Sequence, residues 1–206
     1  GLYSADTERD AYGVGLVVAA DGKPRREVVT LAIAALKAVW HRGAVDADGK
    51  TGDGAGILVE APQDFFREAV TRTGHTPKDG AIFVGQIFLP RLDLSAQERA
   101  RVIVESEIIR AGFVLYGWRQ VPVNISQIGE KANATRPEIE QVLLYDPQGR
   151  TSDVVDRELY ICRRRIEQRA LADNVTELYV CSLSAKRLVY KGMFLAQQID
   201  AFYPDL

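Results

Sequence analysis

Two cysteines, two histidines and one methionine are all the sulfur and imidazole that 206 residues contain. Cys162 and Cys181 each follow an apolar run, Leu-Tyr-Ile and Leu-Tyr-Val, and form no Cys-x-x-Cys pair. They read as small buried hydrophobes, which excludes a disulfide framework and suits a reducing compartment. His41 and His75 stand too far apart, with no cysteine between them, to build a zinc site at familiar spacing, so no metal is expected. Also missing are an apolar run long enough to cross a bilayer and a basic stretch leading into an apolar one. The cytoplasm is therefore the expected location, and the Asn-x-Ser/Thr triplets at Asn124, Asn133 and Asn174 are read as chance. No excess of one charge sign exists: 26 basic against 28 acidic residues give a formal charge of -2. Neither nucleic acid nor an anionic membrane is expected as a partner. The one compact basic run, Arg163-Arg164-Arg165, would point to different faces of a helix and reads as solvated surface.

What is present is an ordinary globular composition, 47% apolar and 26% charged. That is enough chain to bury a sizeable core without disulfides or metals. Residues 12–20 (YGVGLVVAA) predict a buried strand, and Asp21-Gly22-Lys23-Pro24 a turn. Val28, Leu31, Ala32, Ala35, Leu36 and Val39 recur at helical spacing, with Gly43 placed to end that helix. A glycine- and aspartate-rich loop spans 44–56, a strand 57–60 and a short helix 62–70. Residues 81–89 (AIFVGQIFL) predict a second buried strand. Residues 95–112 predict the clearest helix, with Ser95 as cap, Glu98 three residues on and Gly112 as terminator. A strand over 113–123, a loop to Arg136, a helix or turn from Pro137 to about Leu144 and a helix over 158–171 follow. Residues 178–182 and 188–192 predict a hairpin, and 193–202 an amphipathic segment. Glycine-rich and paired-strand features favour sheets packed on each other with helices outside.

Two motif readings fail on their own chemistry. Gly49-Lys50-Thr51 resembles the end of a phosphate loop, but the position six before the lysine is Ala44, and a helix instead of a strand leads in. Asp46-Ala-Asp48 hints at a calcium loop, yet Lys50 takes the third ligand position, Thr51 the required glycine and Ile57 the closing glutamate. What remains is an unusual density of glycines over 43–56, which permits close backbone approach, beside Arg42 at the helix end.

That loop stands with three other strings: Tyr12-Gly-Val-Gly, Ile128-Gly-Glu-Lys-Ala-Asn-Ala-Thr-Arg-Pro137 and Tyr190-Lys-Gly-Met193. Together they resemble the amino-terminal part of glutamate synthase large subunits. The resemblance implies an α+β fold of the N-terminal-nucleophile type, an αββα sandwich of two antiparallel sheets between helix layers. It implies a type-2 glutamine amidotransferase domain over 12–206, preceded by a leader-like segment over 1–11. The family's domain would continue past the position of Leu206, where its glutamine-carboxylate arginine and its oxyanion-holding Asn-Gly pair lie. In the parent enzyme, glutamine and 2-oxoglutarate give two glutamates. Flavin mononucleotide and an iron–sulfur cluster serve later domains, so no cofactor is expected in this segment. Glutamine and the remaining synthase domains are the implied partners.

Mapped by motif, the family's nucleophilic cysteine falls at Tyr12. Arg42 matches an arginine that positions the nucleophile, and Gly13 and Asp53 are the further pocket candidates. In such enzymes a thiolate attacks the carboxamide, and the free α-amine of the same residue carries the proton, which suits a domain poor in histidine. A phenol with an ordinary pKa of about 10 stays protonated at neutral pH, and its oxygen reaches several bonds farther than a thiol sulfur. In the sequence as it stands, eleven residues precede Tyr12, so its nitrogen is an amide and not a base. The expectation is a domain without glutaminase activity of its own. The alternative class is a non-catalytic scaffold or regulatory module derived from the same domain. Trp118-Arg119-Gln120-Val121-Pro122 and Gly129-Glu130-Lys131 also look typical of the family, with packing or inter-domain contact as their expected role.

Overall fold

The computed structural model describes residues 13–40 and 43–206. Its frame is a four-stranded antiparallel sheet in the order β3-β4-β2-β5, faced by a two-stranded antiparallel sheet of β1 and β6. The strands are β1 (Ala55–Glu60), β2 (Phe83–Leu89), β3 (Val114–Gln120), β4 (Glu138–Tyr145), β5 (Tyr179–Ser184) and β6 (Arg187–Gly192). Leu188 and Tyr190 of β6 meet Val84 of β2 and Ile139 and Leu143 of β4 in one apolar cluster between the sheets. On the far face of the larger sheet, α3 (Leu94–Arg110) and α5 (Ser152–Ala172) bury Ile103, Val104, Ile108, Leu159 and Ile166 against Ile87, Val142 and Val180. The smaller sheet is flanked by α1 (Arg26–Ala38), whose Val29, Ile33 and Leu36 join the inter-sheet cluster. Helix, sheet, sheet, helix is the layering the resemblance implies.

Sequence and structure agree where composition is decisive. β2 is buried along almost its whole length on both faces, as a near-continuous apolar run predicts. β2 pairs with β4 and β5 on either side, which makes it central. The long helix over 94–110 also forms, and Gly112 at φ +84° closes it, but its cap is Asp93. The Asp93 carboxylate accepts from the Ala96 amide at 2.9 Å, while Ser95 accepts from Arg99 and Glu98 pairs with Arg101. A charged acceptor one residue earlier satisfies the helix's open amides better than the hydroxyl.

Three further readings are corrected. Where a helix or turn from Pro137 to about Leu144 is expected, residues 138–145 form a central strand, β4. Its short aliphatic run is buried on both faces, and periodicity alone does not separate that from a buried helix. Residues 13–19 carry no strand: Val14, Leu16 and Val18 are 93%, 86% and 71% exposed. The segment instead lies along α1, where a methyl at Gly13 would stand 2.9 Å from Val39 Cβ and one at Gly15 4.0 Å from Ala35 Cβ. The apolar face of α1 is thus divided, with Ala35 and Val39 toward this segment, Ile33 toward the core and Leu31 half exposed. Finally, β5 and β6 are not partners in one sheet. β5 pairs with β2 and β6 with β1, so the chain crosses from one sheet to the other at Ala185-Lys186. Two side-chain bonds hold the crossing together: the Val189 amide donates to Ser182 Oγ, and the Cys181 thiol donates to the Val189 carbonyl.

Between the sheets lies a polar chain. Arg119 on β3 pairs with Asp205 and donates to Gln141 Oε1 at 2.8 Å, and Gln141 donates to Gln86 Oε1 at 2.9 Å. The guanidinium also stacks 4.9 Å from the Phe65 ring centroid. Trp118 next to it donates to Glu105 of α3 at 2.6 Å, tying strand to helix. The Trp118-Arg119 pair is therefore a structural joint, as its expected packing role required.

Candidate functional site

A cavity of about 820 Å³ opens between the end of α1, β1 and the segment after β6. Its wall is mainly apolar, with Gly13, Asp53, Arg136 and Lys191 among the lining residues. Two of the sequence candidates, Gly13 and Asp53, are thus brought to one cavity although forty positions apart. Tyr12 and Arg42 lie outside the described residues; their chain neighbours Gly13 and Gly43 both line this cavity.

The glycine-rich loop is not irregular. Val45 and Gly52 form an antiparallel bridge, the Asp46 amide donates to the Thr51 carbonyl at 2.8 Å, and the Asp53 amide donates to the Ala44 carbonyl at 3.3 Å. Residues 44–53 are therefore a small hairpin. Its tip turns through Gly49 at φ +69°, a left-handed position where glycine carries no side-chain penalty. The hairpin returns the chain so that Asp53 faces Gly43, where a methyl group would stand 3.0 Å from the Asp53 carboxylate. Gly52 packs against the Phe194 backbone, and Gly54, at φ +130°, turns the chain into β1.

The aspartates of the loop serve the loop itself. Asp48 accepts from the Lys50 amide at 2.9 Å, the Thr51 amide at 2.7 Å and the Thr51 hydroxyl at 2.5 Å. The Thr51 hydroxyl, followed by the two amides, holds the Asp48 carboxyl down to about 2. Asp46 pairs with Lys131 at 2.5 Å, which lowers the carboxyl and raises the ammonium. Among the described residues no three His, Cys, Asp or Glu side chains are grouped to hold a metal.

The same cavity is lined by two cations without a carboxylate within ion-pair distance among the described residues, Arg136 and Lys191. Arg136 donates to Asn133 Oδ1 and to the Pro137 carbonyl; burial, then the neighbouring Arg91, pulls its guanidinium below the ordinary value. Lys191 donates to the Tyr179 hydroxyl at 2.5 Å and lies over that ring. Both residues sit in strings the sequence singled out, but no spacing rule marks either as cavity-lining. Burial pushes the Cys181 thiol up to about 11 and the Cys162 thiol up to about 12. Neither is a thiolate at neutral pH, so neither is poised as a nucleophile.

Comparison with known proteins fits this arrangement to a family. The model of the class-II glutamine amidotransferases matches residues 12–206. The chain belongs to that family. It is 57% identical over 204 residues to the glutamate synthase [NADPH] large chain of Azospirillum brasilense. It is 40% identical over 202 residues to the ferredoxin-dependent glutamate synthase 1 of Arabidopsis thaliana, and 35% over 211 residues to the glutamate synthase [NADPH] large chain of Bacillus subtilis. These alignments cover 99%, 97% and 100% of this chain but 14%, 12% and 13% of those proteins. The chain thus spans about a seventh of their length or less. Within an amidotransferase of class II, the αββα layering and a cavity beside residue 13 fall where the family's first matched residue, 12, begins.

Proposed function

We propose that this chain is the glutamine-handling portion of a glutamate synthase and that its cavity receives the carboxamide end of glutamine. The carrying observation is the meeting of Gly13, next to the nucleophile position, and Asp53 in one cavity of a class-II amidotransferase. In a parent with cysteine at position 12, the thiolate would add to the amide carbon. The C–N bond breaks as the α-amine's proton goes to the leaving nitrogen, and water then releases glutamate from the thioester. Arg42 would orient the nucleophile, and Asp53 with the hairpin would border the amide.

With Tyr12 the same cavity lacks an ionised nucleophile at neutral pH, and the chain holds the fold without the hydrolysis. That residue is also the observation favouring the second reading, a non-catalytic module that binds a synthase surface or a small ligand. The remaining synthase domains would be its partners in either case. Flavin and iron–sulfur chemistry belong to those domains, since both cysteines here are buried and poorly ionised. The cytoplasm is the proposed location; no helix among the described residues is long and apolar enough to cross a membrane. The test compares ammonia and glutamate release from glutamine by this chain and by a longer synthase polypeptide carrying Tyr12→Cys with residues 1–11 removed. No release from the first and turnover by the second is the expected pair. Turnover by the chain as it stands refutes the role given to Tyr12, and failure of the restored long form favours the module.

A further inference from the structure

Gly129-Glu130-Lys131 is prominent in the sequence, and neither sheet nor cavity accounts for it directly. The structure places it against the hairpin. Gly129 abuts the tip so closely that a methyl group there would overlap Asp48 Oδ2 and Thr51 Oγ1 and stand 2.7 Å from the Thr51 amide. Thr51 is 2% exposed; its hydroxyl donates to Asp48 and accepts from the Ala132 amide at 3.3 Å. Lys131 reaches from the same short helix, α4 (Glu130–Ala134), to Asp46. From a second stretch of chain Gln198 donates to the Lys50 carbonyl at 3.1 Å and to the Gln127 carbonyl at 2.6 Å. Its own Oε1 accepts from the Leu195 amide at 2.6 Å. Two separate stretches of chain therefore converge on a hairpin of ten residues, and what that hairpin delivers to the cavity is Asp53 and Gly54.

We infer that Asp48, Thr51, Gly129 and Gln198 form a clamp that positions the Asp53 wall of the cavity, with Thr51 as the positioning residue at its centre. The inference rests on the reading of this cavity as the glutamine site. A free hairpin of this length, closed by one bridge, would fray. Here the hydroxyl of Thr51 is shared between the hairpin's own carboxylate and an amide of α4, so one small group couples the two. Lys131 and Asp46 are more exposed and contribute less, because water competes for both charges.

The test uses this chain and three variants: Thr51→Val, which keeps the shape and removes the hydroxyl, Thr51→Ser, which keeps the hydroxyl, and Gly129→Ala. Hydrogen exchange reads the Asp46 and Asp53 amides against amides of β2 and β4. In Thr51→Val and Gly129→Ala the hairpin amides exchange about tenfold faster while β2 and β4 are unchanged, and Thr51→Ser behaves as the parent. Equal exchange in all four, or a uniform rise across the chain, overturns the clamp. Binding of L-glutamine, followed by the fluorescence of cavity-lining Trp40 in a Trp118→Phe background, supplies the functional readout. Thr51→Val weakens binding and Thr51→Ser retains it. Faster hairpin exchange with unaltered binding reduces Thr51 to a purely structural residue and overturns its positioning role. Absence of binding both by the parent chain and by the longer synthase polypeptide, which carries the residues past Leu206, counts against the glutamine reading instead, and the exchange result then stands alone for the clamp.

Discussion

Replacing Gly52 with alanine would put a methyl group 2.6 Å from the Phe194 carbonyl carbon, 2.7 Å from its oxygen and 2.8 Å from the Leu195 nitrogen. All three neighbours are backbone, so no rotamer change relieves the overlap; either the hairpin or the chain after β6 must move. Overpacking of this kind costs about 1–3 kcal/mol. Removing a glycine's freedom from the unfolded chain returns about 0.4–1 kcal/mol. The net expectation is a loss of about 1–2 kcal/mol, and for a domain of this size a melting temperature lower by about 2–8 °C. Gly15→Ala is the matched control, because its added methyl group meets only Ala35 Cβ at 4.0 Å. Urea and thermal unfolding of the two variants, compared with the parent, decide the matter. If Gly52→Ala unfolds at the parent's midpoint, the close packing of hairpin and Phe194 is refuted, and with it the rigid seat described for Asp53. A loss shared equally by Gly15→Ala would point to a general glycine effect and refute the specific one.

Four further outcomes are expected. The Asp48 carboxyl is held below its ordinary 3.8, at about 2, so its contribution to the hairpin is fully present above 3.8 and disappears as pH falls through about 2. An NMR titration of the Asp48 carboxyl should show that midpoint, and Thr51→Val should move it back toward 3.8. Asp205→Ala strands the Arg119 guanidinium in the half-buried polar chain and should cost about 3 kcal/mol in urea unfolding, while Asp205→Asn, which keeps an acceptor, should cost less. Iodoacetamide at pH 8 should leave Cys162 and Cys181 unmodified in the folded chain and alkylate both in denaturant, as mass spectrometry will record. Trp118→Phe should lower stability by about 1.5–3 kcal/mol through loss of the hydrogen bond to Glu105, measured by the same unfolding.

Much of the layering could be read from residue order, because the decisive segments bury themselves. The β2 run and the helix over 94–110 had patterns with one reading each. β4 did not: its apolar run, Val142 to Tyr145, is too short for a period to show, the buried Glu140 and Gln141 break the pattern before it, and its pairing with both β2 and β3 makes it a strand. Residues 13–19 failed for the opposite reason. Their Val and Leu content favours a strand, but strand formation needs a neighbour to bond with, and composition says nothing of neighbours. Of the site, Gly13 and Asp53 were legible through the family's strings, and they do share a cavity. Arg136 and Lys191 were not, since a cation on a cavity wall leaves no local signature. The Gly129 clamp was visible as a string and opaque as a cause, because its reason lies eighty residues away at Asp48 and Thr51.

The crossing at Ala185-Lys186 makes one continuous ribbon do double duty, as an edge of the larger sheet and as half of the smaller. Val189 and Lys191 on the cavity wall are joined, within a few residues of chain and by the bond to Ser182, to the edge strand β5 of the larger sheet. The β6 side of the cavity is therefore tied to both sheets, through β1 and through β5, whereas the hairpin is held by its fastenings to Gly129 and Gln198.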